Sequence, residues 1–258
     1  MAVVVAAVGV SMRVGVIAAT VTVGAVLYAA PAYAEQTPSR WGEHGALTSG
    51  LYPLWEDTGL LMGAREFYLG TDEVGGGLGD ALQLSINPDE YIHRAPNVAI
   101  KLRLVEGEDV TVAWRSTVLL LFQNAHTRFL THNFTSRYAN PRGDTMLFPN
   151  ALSLSWHAAP LLRLHASTTL LPMLTMRKKH RSLHVAAGAS VMGELAFVTG
   201  ASLILHLGEV GLWQHDFYYF AASVRLNYAW AVMHVGYGYR VYPDGVQSSP
   251  MLSVGVAL

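Results

Sequence analysis

The chain has no cysteine in 258 residues, which excludes disulfide staples and thiolate metal sites. Charge is scarce as well: Asp, Glu, Lys and Arg make up 14% of the residues, against about 25% in a soluble globular protein. The two signs nearly cancel, at a formal net charge of −1, so there is no electrostatic footprint for a nucleic-acid partner. Past the N-terminal region, a clean run of membrane-helix length is missing too. The best competitor, residues 151–176 (ALSLSWHAAPLLRLHASTTLLPMLTM), carries His157, Pro160, Arg163, His165 and Pro172. A charged residue at the centre of a helix in lipid costs about 2.5–3.5 kcal/mol. The helical reading therefore fails, although hydrophobic residues make up 52% of the chain.

What is present is period-two alternation. In VAIKLRLVEGEDVTVAWRSTVLLL (98–121), Val98, Ile100, Leu102 and Leu104 share one parity, with Ala99, Lys101 and Arg103 on the other. After the acidic turn Glu106-Gly107-Glu108, Val110, Val112, Trp114, Val118 and Leu120 alternate with Thr111, Arg115 and Thr117. Successive side chains of a strand point to opposite faces, so this is a strand with one apolar and one polar side. A closed barrel accommodates such strands in lipid, because the polar face lines a lumen and no backbone edge is left free.

The N-terminus reads as a secretory signal. Arg13 precedes the apolar stretch VGVIAATVTVGAVLYAA (14–30), and Ala32-Tyr33-Ala34 before Glu35 forms an A-x-A cleavage site. Residues 1–34 are the expected signal peptide, with Met12 the alternative start, since a Met-Arg opening gives a cleaner basic region. Residues 35–43 would then be a periplasmic N-terminal segment and 44–258 an all-β, antiparallel transmembrane β-barrel.

Twelve strands are expected, with ten as the lower bound: 44–52, 63–70, 79–87, 97–105, 109–121, 151–158, 161–174, 182–191, 194–206, 217–228, 231–241 and 249–258. The joints at Glu106–Glu108, Ala159–Pro160, Met192–Gly193 and Ala229–Trp230 are short. Those at 88–96, 122–150, 175–181, 207–216 and 242–248 are longer and polar. Outer-membrane barrels have short periplasmic turns and longer external loops. Trp156, Tyr228 and Trp230 lie beside short turns, and Phe122, Trp213, Phe217, Tyr239 and Tyr242 near long ones, as two interfacial girdles require.

The last residues, MLSVGVAL, alternate Leu252, Val254, Val256 and Leu258 against Met251, Ser253, Gly255 and Ala257. Here the chain resembles bacterial outer-membrane β-barrel proteins, whose amphipathic final strand ends on a hydrophobic residue read by the barrel-assembly machinery. Leu258 stands where that family usually has Phe. The segment GYGYRVYPDGVQSSPMLSVGVAL also resembles the closing hairpin of uncharacterised barrel proteins from myxobacteria. The resemblance implies an outer-membrane location and the assembly machinery as a partner, and brings no activity with it.

Parity assigns Lys101, Arg103, Arg115, Arg163, His165, Arg225 and Arg240 to the lumen, with Glu66 the only inward acid. That interior would favour small anionic solutes through its summed field. His180 and His184 form an H-x-x-x-H pair, but on a strand they lie about 13 Å apart, too far for one metal ion. No metal and no cofactor is expected. Ser155 and His165 face each other across the Ala159–Pro160 turn, the beginnings of a nucleophile and base, with no acid on a matching position. The run Gly75-Gly76-Gly77-Leu78-Gly79 reads as a flexible connection. Arg177, Lys178, Lys179 and Arg181 are candidates for lipopolysaccharide phosphates.

The expected function is a small porin-like channel or structural envelope barrel with a basic lumen, in contact with outer-membrane lipids and without nucleic acid. Two alternatives stand beside it: a lipid hydrolase or acyltransferase using Ser155 and His165, and a docking component of an envelope export or assembly complex acting through the 122–150 loop.

Overall fold

In the computed structural model, the described residues are 58–257 apart from 63, 65, 93–94, 123–143, 177–180, 199, 212–216, 229–230 and 243–244. The expected signal peptide, the strand at 44–52, the segment Arg177–Lys179, and most of the 122–150 loop lie outside them.

The chain folds into a closed antiparallel barrel. Its strands are β1 Phe67–Gly70, β2 Val74–Gly77, β3 Leu82–Ile86, β4 Asn97–Glu106, β5 Val110–Leu121, β6 Asp144–Leu147, β7 Asn150–Ala159, β8 Leu162–Met176, β9 Arg181–Val198, β10 Ala201–Gly211, β11 Phe217–Tyr228, β12 Ala231–Tyr242 and β13 Gly245–Ala257, with one short helix, α1, Pro88–Ile92. Neighbours in sequence pair, except β6 and β7, which each pair with β5 and β8. β1 closes the ring on β13, with Tyr68 opposite Ala257 and Gly70 opposite Gly255.

Thirteen strands occupy twelve positions in the ring, because β6 and β7 both lie between β5 and β8. Pro149 divides them: without an N–H it breaks the ladder. Its carbonyl still accepts from Thr117 N at 2.9 Å, and Phe148 N donates to Pro172 O at 2.9 Å, so the register continues across the gap.

Burial is inverted relative to a protein in water. Val98, Ile100, Leu152, Leu154, Trp156, Leu170, Leu205, Val235 and Leu252 are exposed on the outside, whereas Gln83, Lys101, Ser153, His165, Arg225 and His234 are buried within. Exposed apolar surface on this scale needs an apolar solvent. Among the described residues, no helix is long and apolar enough to cross a membrane.

Four details differ from the sequence-based expectation. The expected joint at 122–150 contains a strand, β6, that pairs with β5 and β8. The Gly75–Gly77 run is no flexible connection: it forms β2, which pairs with β1 and β3. The Met192–Gly193 turn does not exist, since β9 runs unbroken from Arg181 to Val198. The chain reverses instead at Gly200, whose φ of +79° and close approach to the Asn227 carbonyl admit no side chain. The expected long joint at 242–248 is a tight one, because Tyr242 and Gly245 already pair.

One end of the barrel carries the connections 78–81, 107–109, 160–161, 199–200 and 229–230, and the other carries 71–73, 87–96, 122–143, 177–180, 212–216 and 243–244. The start of β1 and the end of β13 sit at the first, the short-turn end.

Candidate functional site

The lumen is the site, and the strand register builds it. Inward residues of adjacent strands face each other in rows. At the short-turn end Ser155 lies across from His165, and Arg163 is flanked by His157 and Glu194. Further round, Arg225 faces Ser202 and His234, and His234 faces Ser253.

Glu194 sits at the centre of one cluster. It pairs with Arg225 in a close ion pair, with Arg163 Nη1 at 3.9 Å and with His165 Nε2 at 3.8 Å. Ser155 Oγ contacts His165 Nδ1 at 2.7 Å, and His234 Nε2 contacts Ser223 Oγ at 2.6 Å. A buried cation that is neither paired nor hydrogen-bonded is strongly destabilising, so the carboxylate is what permits two guanidinium groups here.

A second cluster lies on the opposite wall. Glu73, in the turn between β1 and β2, reaches Arg115 Nη2 at 3.6 Å and accepts from Gln83 Nε2 at 3.4 Å. Lys101 is buried, directly between Gln83 and Arg115 in the register. Arg103 lies apart, at the short-turn rim, where Nη1 binds Glu106 Oε2 at 2.6 Å. Arg240 shares its face with Tyr219 and Gln247 nearer the other rim. Arg181 opens β9 and is exposed. His184 is also exposed, and among the described residues no cluster has the makings of a metal site.

The expectation that Glu66 is the only inward acid is corrected by Glu73 and Glu194, 2% and 4% exposed. Glu194 escapes the sequence reading because the turn expected at Met192–Gly193 leaves it as the first residue of the strand 194–206, at the rim, whereas β9 runs through it and carries it into the wall. Its inclusion supplies the acid that the Ser155–His165 pair lacks in sequence.

Two further features fill the lumen. Thr58, Leu60, Leu61 and Met62 precede β1, belong to no strand, and are buried. They form a strap across the barrel: Gly59 N donates to Ser155 Oγ at 2.8 Å, and Met62 N donates to Gln83 Oε1 at 3.1 Å. Met62 packs with Tyr68 and Val232. Toward the long-loop end the inner face between β5 and β8 carries an apolar band. Leu119, Leu147 and Met173 form one cross-strand row, with Leu121 and Leu171 beside it, and all five are buried. No single-strand signal marks this half, because parity gives the side a residue faces and not its chemistry.

The Ser155–His165–Glu194 contacts have the composition of a hydrolytic relay. The serine is 1% exposed and its oxygen already accepts the Gly59 N–H, so the arrangement is a covered hydrogen-bond network.

No protein-family profile and no curated protein matches the sequence. Among solved structures the chain is similar to a NanC porin, at 10% identity and a TM-score of 0.47, over 75% of this chain and 96% of that one. It is also similar to outer-membrane expressed OmpT of Vibrio cholerae, at 9% identity and a TM-score of 0.43, over 72% of this chain and 63% of that one. A third likeness is to the CymD monoaromatic hydrocarbon channel, at 10% identity and a TM-score of 0.39, over 86% and 94%.

Proposed function

We propose that the chain is an outer-membrane barrel that gives small anionic solutes a passive, selective path. One observation carries this reading: among the described residues, the inward cations Lys101, Arg115, Arg163, Arg225 and Arg240 outnumber the wall carboxylates Glu66, Glu73 and Glu194, even with the buried Glu90 of α1 added. A confined wall with excess positive charge raises the local concentration of anions. The apolar exterior supports contact with outer-membrane lipids, and the outward-facing Leu252 and Val254 of β13 support its reading by the barrel-assembly machinery. The asymmetry of the connections supports a periplasmic short-turn end and an external long-loop end.

The test is the reversal potential of the purified protein in a planar bilayer under a salt gradient. Anion preference is expected, falling toward neutrality when Lys101, Arg103 and Arg115 are all changed to Gln. Cation preference, or an unchanged potential in the triple variant, refutes it.

A hydrolase is the second reading, favoured by the 2.7 Å Ser155–His165 contact with Glu194 beyond it. Covalent labelling of Ser155 by a fluorophosphonate, lost in Ser155→Ala, would establish it. Absence of labelling with the strap displaced would dismiss it.

A further inference from the structure

We infer that the Thr58–Met62 strap is a built-in plug, latched on two lumenal acceptors, and that conduction requires its release from Ser155 and Gln83. The inference rests on the channel reading above and adds what closes the channel. Each end of the strap binds a different wall: Gly59 meets β7, and Met62 meets β3. The Gly59 end lies against β5 and β7, whereas the Met62 end packs with Tyr68 of β1 and Val232 of β12, so the strap runs from one side of the ring toward the other. Both bonds use the strap's own backbone N–H groups as donors, and both acceptors are buried side chains.

The fit is close at one point. A Cβ on Gly59 would collide with the Thr111 carbonyl oxygen and lie 2.8 Å from Ser155 N. Only glycine lets the backbone approach the wall this nearly. Three apolar side chains follow, Leu60, Leu61 and Met62, at the end of the lumen where the wall is polar. Apolar groups gain from leaving water, and they exclude it from the passage they occupy. The contact of Ser155 with His165 then has a simple purpose: the imidazole fixes the hydroxyl so that its oxygen presents a lone pair to Gly59.

Among the described residues, the hydrogen bonds that hold the strap are few. Two backbone-to-side-chain hydrogen bonds and the Met62 contact with Tyr68 and Val232 anchor it, whereas β8 and β9 are joined along their whole length from Leu162↔Leu195 to Met176↔Arg181. The strap is therefore able to leave while the wall stays intact.

The absence of cysteine gives a direct test. Ser155→Cys places a single thiol under the strap in the otherwise unchanged full-length chain; sulfur is a weak acceptor, so the strap is then held by the fit of Gly59 against β5 and β7 and by the Met62–Gln83 latch. Its reaction with a water-soluble methanethiosulfonate reagent is expected to be slow, and to accelerate about tenfold or more when Gly59→Val is added, since the clash with the Thr111 carbonyl lifts that end off the wall. Met62→Gly, which weakens the other end without a clash, is expected to accelerate it too and covers the case in which Gly59→Val does not fold. Barrel integrity is checked by heat-dependent gel mobility. In bilayers, Gly59→Val and Met62→Gly with Ser155 retained are expected to spend more time open. If the introduced thiol reacts as fast with the strap intact as with either strap variant, the plug does not exist, whatever the barrel conducts. If the strap variants unmask that thiol yet no variant conducts, the strap covers the lumen but the channel reading fails, and with it the role of plug.

Discussion

The two halves of the lumen are built on the same strands with the same parity, yet they differ in chemistry. Along β8 the inward series begins Arg163, His165, Ser167, Thr169, changes to Leu171 and Met173, and ends on Thr175, all of them buried. The short-turn half is a network of charges and hydroxyls crossed by the strap. On the wall from β5 to β8 the long-loop half carries a row of Leu and Met in direct register, with the buried Thr145–Thr175 pair beyond it. The difference shows that an inward position in a barrel is a geometrical fact with two uses. Polar rows keep a surface that water or a displaceable segment can occupy. Apolar rows are stable only while something covers them, and so they belong to a packed interior.

The largest expected effect is in the polar half. Glu194→Ala leaves Arg225 and Arg163 without their shared carboxylate, and removing one partner of a buried pair costs about 3–5 kcal/mol. Urea unfolding of the refolded barrel in detergent measures it. Adding Arg225→Met should recover part of the loss, because the stranded charge is then gone. Full stability in Glu194→Ala would mean that the charges are hydrated and the half is wet.

Leu171→Ala probes the apolar half by the same unfolding measurement. Deleting a buried leucine side chain costs about 2–5 kcal/mol when its surroundings cannot collapse. A loss below about 1 kcal/mol would show a loosely filled region and erase the contrast between the halves.

The outer face separates both halves from lipid. Leu205→Arg on β10 should cost about 2–4 kcal/mol, as an arginine facing mid-bilayer does, read as reduced insertion into vesicles. Normal insertion would place that face on the lumen side.

The smallest effect is expected at Ser167, whose Oγ lies 2.7 Å from Ser190 Oγ. Ser167→Ala should destabilise by about 1 kcal/mol. A much larger loss would make the hydroxyl pair part of the neighbouring charge network.

Period-two alternation makes the barrel legible, because a lipid-facing strand must be apolar on one side and its spacing is short-range. The facing of Lys101 follows in the same way, and the register sets it between Gln83 and Arg115. Glu194 is misplaced by a false turn: with a reversal at Gly193 it stands at the very end of a strand, and only the pairing of the neighbouring strands shows that β9 continues through it. Gly75–Gly77 is hidden by composition, since three glycines carry no alternation to read. The strap is hidden for a third reason. Its residues are ordinary coil in sequence, and their place in the lumen follows from contacts with Ser155 and Gln83, 96 and 21 residues away. Contacts of that range leave no local trace.

The most direct test of the inside-out, two-halved lumen is a nitroxide scan by single cysteines along β8, from Arg163 to Met173, in lipid vesicles. Collision with oxygen reports lipid, and collision with a water-soluble nickel chelate reports water. Oxygen collisions are expected to peak at Leu164, Ala166, Thr168, Leu170 and Pro172 and to fall at every position between. With Gly59→Val present, the nickel chelate should reach 163 through 169 on the odd positions and stop before 171. Oxygen maxima on the odd positions, or no alternation at all, would contradict the account.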